Sequence, residues 1–244
     1  MGRWISNFNN TSELATFSGT SDFSAPHVSL TKNDRQVHFF EDPYNGHACV
    51  DLGLPSGLKW AAMNIGATDV TDAGLYFQWG DISGYTRSEV GPDEGQKVFN
   101  WNNYKYWSSD TGGGSSGMTK YNSTDGLTAL ASTDDAAMTN WGSNWRMPTS
   151  AEFIELGNYT TSAFTNNCLV LTSTINGNTL TFPAGGVGIG TYVVYTGTDG
   201  CYWSNSLYGG NVIKGVDMLF HSSDVNWNSY YDRSYGLPIR PVFG

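Results

Sequence analysis

The stretch that decides the fold is GCYWSNSLYGGNVIKGVDMLFHSSDVNWNSYYDRSYGLPIRPVFG, residues 200–244. It begins with the aromatic pair Tyr202 and Trp203 and closes with Arg240 and Pro241. Between these ends the chain is rich in Asn, Ser, Gly, Tyr and Asp. Tyr offers a large contact area at low entropy cost, and Ser, Gly and Asn offer adaptable hydrogen bonds. The stretch therefore predicts a fixed frame that displays a binding surface.

The composition favours a loop-rich protein that does not bind nucleic acid. Only 14% of the 244 residues are charged, whereas about 25% is usual for soluble domains. Gly (30 residues), Trp (9) and Tyr (14) are abundant, unlike in helical bundles. The net charge is -10 and there is no cluster of Lys and Arg, so a phosphate backbone is not an expected partner.

The cysteine spacing and the apolar runs exclude several classes. Cys49, Cys168 and Cys201 show neither a CxxC pair nor a Cys/His spacing, which favours buried thiols over a disulfide and predicts no metal and no cofactor. The start of the chain lacks the charged-then-apolar pattern of a secretion signal. No apolar run reaches the roughly 20 residues that span a bilayer, so we expect no membrane insertion.

Residues 1–45 differ from residues 46–244. The first segment is polar, with one strand expected at Val37–Phe40, and it is too short to build its own core. We expect it to dock on another surface; the alternative is a disordered leader. Residues 46–244 are predicted to form the ligand-binding domain.

Short strands dominate the larger segment. A hairpin is predicted from Leu169–Ile175 and Asn178–Ala184, because the intervening Asn176-Gly177 suits a two-residue type I′ turn. Apolar residues with period two indicate half-buried strands at three further places. These places are Leu58, Trp60 and Ala62; Leu75, Phe77 and Trp79; and Val216, Met218 and Phe220.

One helix has a clear start signal. Thr149 and Glu152 form a capping box, and Gly157 is expected to end the helix. A second helix is expected at Asp134–Met138, and residues 108–126 are expected to form an exposed loop. The apolar face of the first helix consists of Phe153, Ile154 and Leu156. The predicted class is α+β with strands predominating.

Three motifs occur in an order that marks a resemblance. They are VDLGLPSGLKWA at 50–61, WGSNWRMPT at 141–149 with Glu152, and YWS at 202–204 with Gly236 and IRPV at 239–242. Together they resemble a bacterial and phage C-type-lectin-like family related to the formylglycine-generating-enzyme fold. The resemblance covers about residues 48–243. It implies twisted antiparallel sheets, one or two helices and many loops.

Within that family, the segment at about 201–236 resembles the variable region of proteins encoded by diversity-generating retroelements. In such proteins, template adenines are randomised, and Asn codons then yield many residue types but never Trp, Met, Gln, Glu or Lys. Trp203, Met218 and Trp227 should therefore be fixed. The resemblance implies diversified ligand contacts at Asn205, Leu207, Tyr208, Gly209, Asn211, Ile213, His221, Asp224, Asn226, Asn228, Ser229, Tyr230, Tyr231, Asp232 and Ser234.

The first segment looks like leaders of Bacteroides-phage virion proteins, at NTSEL (10–14) and PHVSL (26–30). The combined expectation is a phage receptor-binding protein or adhesin that binds a host-cell surface protein or glycan. Residues 1–45 would attach it to the virion, and a homotrimer is expected. Its alternative location is the bacterial cell surface.

Two other functions stay open. The segment 224–228 carries oxygen ligands suited to calcium, so a calcium-dependent lectin is an alternative, although the partner motifs of sugar-binding lectins are missing. An oxidase like the sulfatase activators would need a second cysteine near Cys201. We expect no enzyme, and we expect the adjacent Asp134 and Asp135 to cap a helix or face solvent. Tyr202 and Trp203 should be core, whereas several of Tyr208, Tyr230, Tyr231 and Tyr235 should be exposed.

Overall fold

The structure, a computed structural model, describes residues 44–109 and 117–244, together with the backbone of the strands at 29–32 and 35–38. The chain divides into two compact units, Met1–Gly46 and His47–Gly244. In the first unit, β1 (Ser29–Lys32) pairs antiparallel with β2 (Arg35–His38). The strand expected at Val37–Phe40 overlaps the end of β2. Its last two residues lie outside the described residues, as do residues 1–28, 33–34 and 41–43.

The second unit is α+β, with sheets predominating, which confirms the predicted class. Its described residues form four antiparallel sheets with the strand orders β3-β4-β14-β5, β6-β7-β8, β9-β10 and β11-β12-β13. Short 3-10 helices lie at Arg87–Glu89, Trp101–Asn103 and Ser132–Asp134. The helices and strands are β3 (Cys49–Asp51), β4 (Lys59–Ala61), α1 (Ala136–Trp141), β5 (Trp145–Arg146), α2 (Ser150–Asn158), β6 (Thr160–Thr165), β7 (Cys168–Ser173), β8 (Thr179–Pro183), β9 (Val187–Ile189), β10 (Tyr192–Val194), β11 (Gly200–Leu207), β12 (Lys214–Phe220), β13 (Val225–Asp232) and β14 (Val242–Phe243).

Helix α2 begins at the predicted capping box. The Thr149 hydroxyl accepts a hydrogen bond from the Glu152 backbone N–H (3.2 Å), and the Glu152 carboxylate accepts one from the Thr149 N–H (2.7 Å). Phe153 and Leu156 are fully buried in the core, whereas Ile154 is 42% exposed, so only part of the predicted apolar face is buried.

The four-stranded sheet β3-β4-β14-β5, called here the central sheet, is completed by the last strand of the described chain. Val242 of β14 pairs with Trp60 of β4 on one side and with Arg146 of β5 on the other. Just before it, the fully buried Arg240 donates hydrogen bonds to the Asn64 side chain and to the carbonyls of Ala61, Ala62 and Thr181, at 2.8–3.1 Å. Burial lowers the pKa of Arg240 to about 10, so the guanidinium stays charged at neutral pH.

The hairpin predicted around Asn176-Gly177 exists, but its turn differs. Strands β7 and β8 pair through Thr172 and Thr179, and Ser173 N–H bonds the Asn178 carbonyl, which leaves a four-residue loop. Gly177 has a positive φ of 77°, whereas Asn176 does not, so the type I′ prediction is wrong. The Ser173 hydroxyl accepts hydrogen bonds from the Ile175 and Asn176 N–H groups and thereby holds the longer loop.

Three other expectations need correction. Residues 75–79 form isolated bridges, such as Phe77 with Leu237, and no regular strand. Helix α1 starts at Ala136, later than expected, because Asp135 is its N-cap. The Asp135 carboxylate accepts hydrogen bonds from the Ala137 and Met138 N–H groups. The loop predicted at 108–126 is not wholly exposed, since Tyr121 is completely buried; its residues 110–116 lie outside the described residues.

Cys168 and Cys201 are buried thiols, as expected, and Cys49 is half-buried. None of the helices in the described ranges is long and apolar enough to cross a membrane.

Candidate ligand-binding surface

The stretch that opened the sequence analysis folds into the sheet of β11, β12 and β13, called here the tail sheet. Strand β12 lies in the centre, with Gly200 of β11 and Val225 of β13 on either side of its Phe220. Its other end pairs with β13 through Lys214 and Asp232. The predicted contact positions therefore lie on one small sheet, on its connecting loops and just beyond it.

Strand β13 separates exposed side chains from packed ones. Asn226, Asn228 and Tyr230 are exposed, and Tyr230 shows 45% of its surface. The intervening Val225 and Trp227 pack against the main hydrophobic core. Because successive residues of a strand point to opposite faces, the exposed side chains can be exchanged without repacking the core.

Trp227 packs on helix α2 at Gly157. A Cβ atom at position 157 would lie 2.5 Å from the Trp227 indole carbon Cε2, which is too close for any real contact. The prediction that Gly157 ends the helix is wrong, since α2 continues to Asn158. The glycine instead gives the indole ring room to approach the helix backbone. Trp227, which the resemblance predicts not to be diversified, thus packs against a glycine that is distant in sequence.

Two tryptophans anchor β11 to the segment at residues 77–79. The Trp203 indole N–H donates to the Phe77 carbonyl (2.8 Å), and the Trp79 indole N–H donates to the Ser204 carbonyl (2.9 Å). Tyr202 and Trp203 are completely buried, which confirms their predicted place in the core. The residues that open the tail sheet belong to the frame.

Arg233 anchors the other end of the tail sheet and was not foreseen from sequence. It is completely buried directly after β13, and it stacks over Trp79 with its guanidinium carbon 4.8 Å from the ring centroid. Its guanidinium donates to the Tyr104 hydroxyl (2.7 Å) and to the carbonyls of Tyr121, Val212 and Lys120 (2.8–3.1 Å). These bonds tie β13 to the loop between β11 and β12 and to the 117–121 segment.

An aromatic pair with one adjacent cation forms the most distinct surface feature of the tail sheet. The rings of Tyr208 and Tyr230 stack with their centroids 4.2 Å apart. Lys214 lies 5.4 Å from the Tyr230 ring centroid and forms an ion pair of 2.8 Å with Asp232. Of Tyr208, Tyr230, Tyr231 and Tyr235, only Tyr230 is exposed and the other three are half-buried, so fewer are exposed than predicted. The pair beside the charged residues still offers apolar area and hydroxyl groups for a partner.

A second group of predicted positions lies at the opposite end of the sheet. His221 Nδ1 is 3.0 Å from the Asp199 carboxylate, and the His221 N–H donates to the Asp224 carbonyl in the turn before β13. The two groups are separated by the length of β12, about 20 Å at roughly 3.3 Å per residue. A single small ligand cannot contact both groups, whereas a macromolecular surface can.

The predicted positions differ in exposure. Ser234 is only 1% exposed and its carbonyl accepts from the Gln78 side chain, so its prediction as a ligand contact is wrong: it packs in the core behind Arg233. Gly209, Asp224, Asn226, Asn228 and Tyr230 are exposed. The half-buried positions are Asn205, Leu207, Tyr208, Asn211, Ile213, His221, Ser229, Tyr231 and Asp232.

Ser229 and Tyr231 turn toward a buried polar cluster. Ser229 pairs across the sheet with Asp217, whose side chain is completely buried and has no charged partner within the described residues. Burial raises the pKa of the Asp217 carboxyl well above its usual range. Burial also raises the pKa of the Tyr231 hydroxyl, which shares a hydrogen bond with Cys201. Tyr231 is therefore partly a structural residue, less exposed than Tyr230.

The two adjacent carboxylates at 134 and 135 are structural. Asp135 caps α1, as expected, but neither residue faces solvent: Asp134 is 4% and Asp135 is 3% exposed. Asp134 binds the ammonium groups of Lys105 and Lys120. No group of three or more His, Cys, Asp or Glu side chains suited to a metal ion occurs in the part of the chain that the structure describes.

Comparison with protein-family models, with curated proteins and with solved structures gave no match.

Proposed function

We propose that this chain is a binding protein of C-type-lectin-like architecture whose tail sheet contacts a surface protein or glycan of a bacterial host. In this proposal it is a phage receptor-binding protein or adhesin, and positions within about 201–236 are diversified by a retroelement. The ordered motifs support the architecture, with Trp60, Trp145 and Trp203 all in the buried core.

One observation carries the proposal: the tail sheet keeps its frame and its exposed side chains apart. Trp203, Met218 and Arg233 are completely buried, whereas Asn228 and Tyr230, only a few residues away, are exposed. Substitutions at the exposed positions alter the chemistry of the surface and leave the packing in place. This is the property that a diversified binding surface requires.

The deciding experiment removes the aromatic pair. We expect Tyr208→Ala and Tyr230→Ala to weaken attachment of the labelled protein to a binding strain, from a panel of Bacteroidales cells, by tenfold or more, as for central aromatic contacts. Their free energies of unfolding should fall by only about 0.5–1.5 kcal/mol, the value of one aromatic pair. Tyr192→Ala is the matched control, because Tyr192 is 68% exposed and lies on β10, outside the tail sheet. Unchanged attachment of both variants, or their unfolding, would refute the proposed site.

A calcium-dependent lectin is separated by chelation. Asp224, Asn226 and Asn228 offer exposed oxygen atoms, but the Asn226 amide oxygen already accepts a hydrogen bond from the Asn228 N–H (3.1 Å). We expect attachment to persist in EDTA. Loss of attachment in EDTA with recovery on adding calcium would replace the proposal with the lectin.

The enzyme alternative depends on Cys201. Burial raises the pKa of its thiol, which disfavours the reactive thiolate that an oxidase needs. We propose that the protein binds without catalysis, and we expect Cys201→Ser to attach to cells as the unsubstituted protein does.

The remaining parts of the proposal concern assembly and origin. Residues 1–45 would attach the protein to the virion, and the protein would be a homotrimer, which light scattering of the full chain would test. Diversification predicts a second copy of the tail-coding DNA that differs only at adenines and lies beside a reverse transcriptase gene.

A further inference from the structure

An open cleft with both polar and apolar lining lies in the second unit, outside the tail sheet. Its volume is about 870 Å³, which is within the range of small-molecule sites. It is lined by five segments of the chain, at residues 66–76, 86–88, 166–168, 183–185 and 196–197. None of the predicted contact positions lines it.

Arg87 provides the cleft with an uncommitted positive charge. A capping box at Thr86 and Glu89 starts the 3-10 helix in which Arg87 is the first residue, and the side chain is exposed. No hydrogen bond or ion pair engages its guanidinium within residues 44–109 and 117–244. Three other cations in these ranges, Lys105, Lys120 and Arg146, are held by carboxylates.

The buried Tyr76 lines the cleft, and the charge of Arg87 affects the pKa of its hydroxyl. The Tyr76 hydroxyl donates to the Gly185 carbonyl (2.6 Å), and burial raises the pKa of Tyr76 to about 12 against the opposing effect of the Arg87 charge. The Asp72 carboxylate also lines the cleft and accepts hydrogen bonds from the Thr68 and Gly74 N–H groups. Within the described residues it forms no ion pair with Arg87.

Two residues with side-chain amides also line the cleft. Asn166 and Asn167 both have positive φ values, 51° and 59°, and form the two-residue turn between β6 and β7. The Asn167 carbonyl accepts from the Ala184 N–H (2.8 Å), which fixes the turn against the rest of the wall. Within the described residues, neither side-chain amide has a hydrogen-bond partner.

These groups define a ligand chemistry. A guanidinium matches a carboxylate with two parallel hydrogen bonds, and amides match vicinal hydroxyls as both donors and acceptors. A phosphorylated ligand would call for more positive charge than one arginine in a protein of net charge -10. We propose that this cleft is a second binding site, for an acidic saccharide, with Arg87 on the carboxylate and Asn166 and Asn167 on the hydroxyls. The site is independent of the tail sheet and would stand even if the proposed function failed.

The test is a titration of the isotope-labelled full chain followed by NMR. Sodium glucuronate should produce saturable shifts of the Asn166 and Asn167 side-chain amide signals, and glucose, which lacks the carboxylate, should bind at least tenfold more weakly. Arg87→Gln should weaken glucuronate binding at least tenfold, and Arg87→Lys, which keeps the charge but not the planar fork, should be intermediate. Arg87→Gln should keep the unfolding midpoint, because its guanidinium has no partner to lose.

Three results would overturn the proposal. One is no saturable shift up to about 50 mM glucuronate, well above the Kd of a millimolar site. The second is equal binding of glucuronate by Arg87→Gln and the unsubstituted protein. The third is tighter binding of inorganic phosphate than of glucuronate. Tyr230→Ala should leave the glucuronate titration unchanged, which separates this site from the tail sheet.

Discussion

Replacing Arg233 with methionine tests whether a single buried guanidinium holds the frame of the tail sheet. The substitution leaves the Tyr104 hydroxyl and the carbonyls of Lys120, Tyr121 and Val212 without their donor. Each unsatisfied buried acceptor costs about 1–3 kcal/mol. Removing the buried charge returns part of that cost, because the guanidinium no longer has to leave water.

The net expectation is a loss of about 3–5 kcal/mol in the free energy of unfolding, because four unsatisfied acceptors outweigh the part that removal of the buried charge returns. A typical domain has only about 5–15 kcal/mol, so the variant should be marginal. Arg233→Lys keeps the charge, but an ammonium has three N–H donors for four acceptors. At least one acceptor stays unmatched, and we expect a loss of about 1–3 kcal/mol.

Urea unfolding followed by tryptophan fluorescence measures both losses. Arg87→Met is the matched control, since that arginine is exposed and makes no side-chain hydrogen bond in the described residues. It should change the free energy of unfolding by no more than about 0.5 kcal/mol. If Arg233→Met stayed within about 1 kcal/mol of the unsubstituted protein at an unchanged urea dependence, the role assigned to the network would be wrong.

Three further predictions concern packing and pH. Gly157→Ala should lower the free energy of unfolding in urea by about 1–3 kcal/mol, because overpacking against Trp227 outweighs the better helix propensity of Ala. In a Trp227→Ala background the same substitution should raise the free energy of unfolding. An effect of the same sign in both backgrounds would contradict the packing of Trp227 on Gly157. Asp217→Asn should flatten the pH dependence of stability. Because the carboxyl pKa is raised in the folded state, the unsubstituted protein should lose stability as pH rises above the unfolded pKa of about 3.9, by up to about 1.4 kcal/mol per pH unit. Parallel stability curves for the variant and the unsubstituted protein would contradict this. Asp134→Asn should change the pH dependence with the opposite sign. Burial alone would raise the pKa of Asp134, but its hydrogen bonds, that from Lys120 foremost, hold this pKa below its usual range. The carboxylate therefore stabilises the protein above about pH 3.9, and this stabilisation is lost as pH falls. Equal loss of stability in acid for the variant and the unsubstituted protein would refute this role.

Features set by neighbouring residues could be predicted from the sequence. The capping box at Thr149 needs only residues three apart, and the alternation of Val216, Met218 and Phe220 needs only one strand. The capping box is confirmed, and β12 exists with its apolar residues buried, but it is not the half-buried strand that the alternation predicted. The residue types of the tail also indicated an exposed polar and aromatic surface, and β13 places Asn228 and Tyr230 at the surface.

Features set by distant residues were missed. In an alternating strand, Asp217 would be expected to point outward. It pairs instead with the buried Trp203 of β11, and the Asp217 side chain is completely buried as well. Ser234 and Arg233 look like part of the polar tail, yet their burial depends on segments more than a hundred residues earlier, including Gln78.

The position of β14 has a consequence for how errors in the tail are handled. A frameshift or premature stop between residues 201 and 236 would also remove Arg240 and Val242, and with them the strand between β4 and β5. Such a chain would lack the middle of its central sheet and should be degraded. Under the proposed diversification, folding would thus act as a proofreading step, because only tails that are translated in frame complete this sheet.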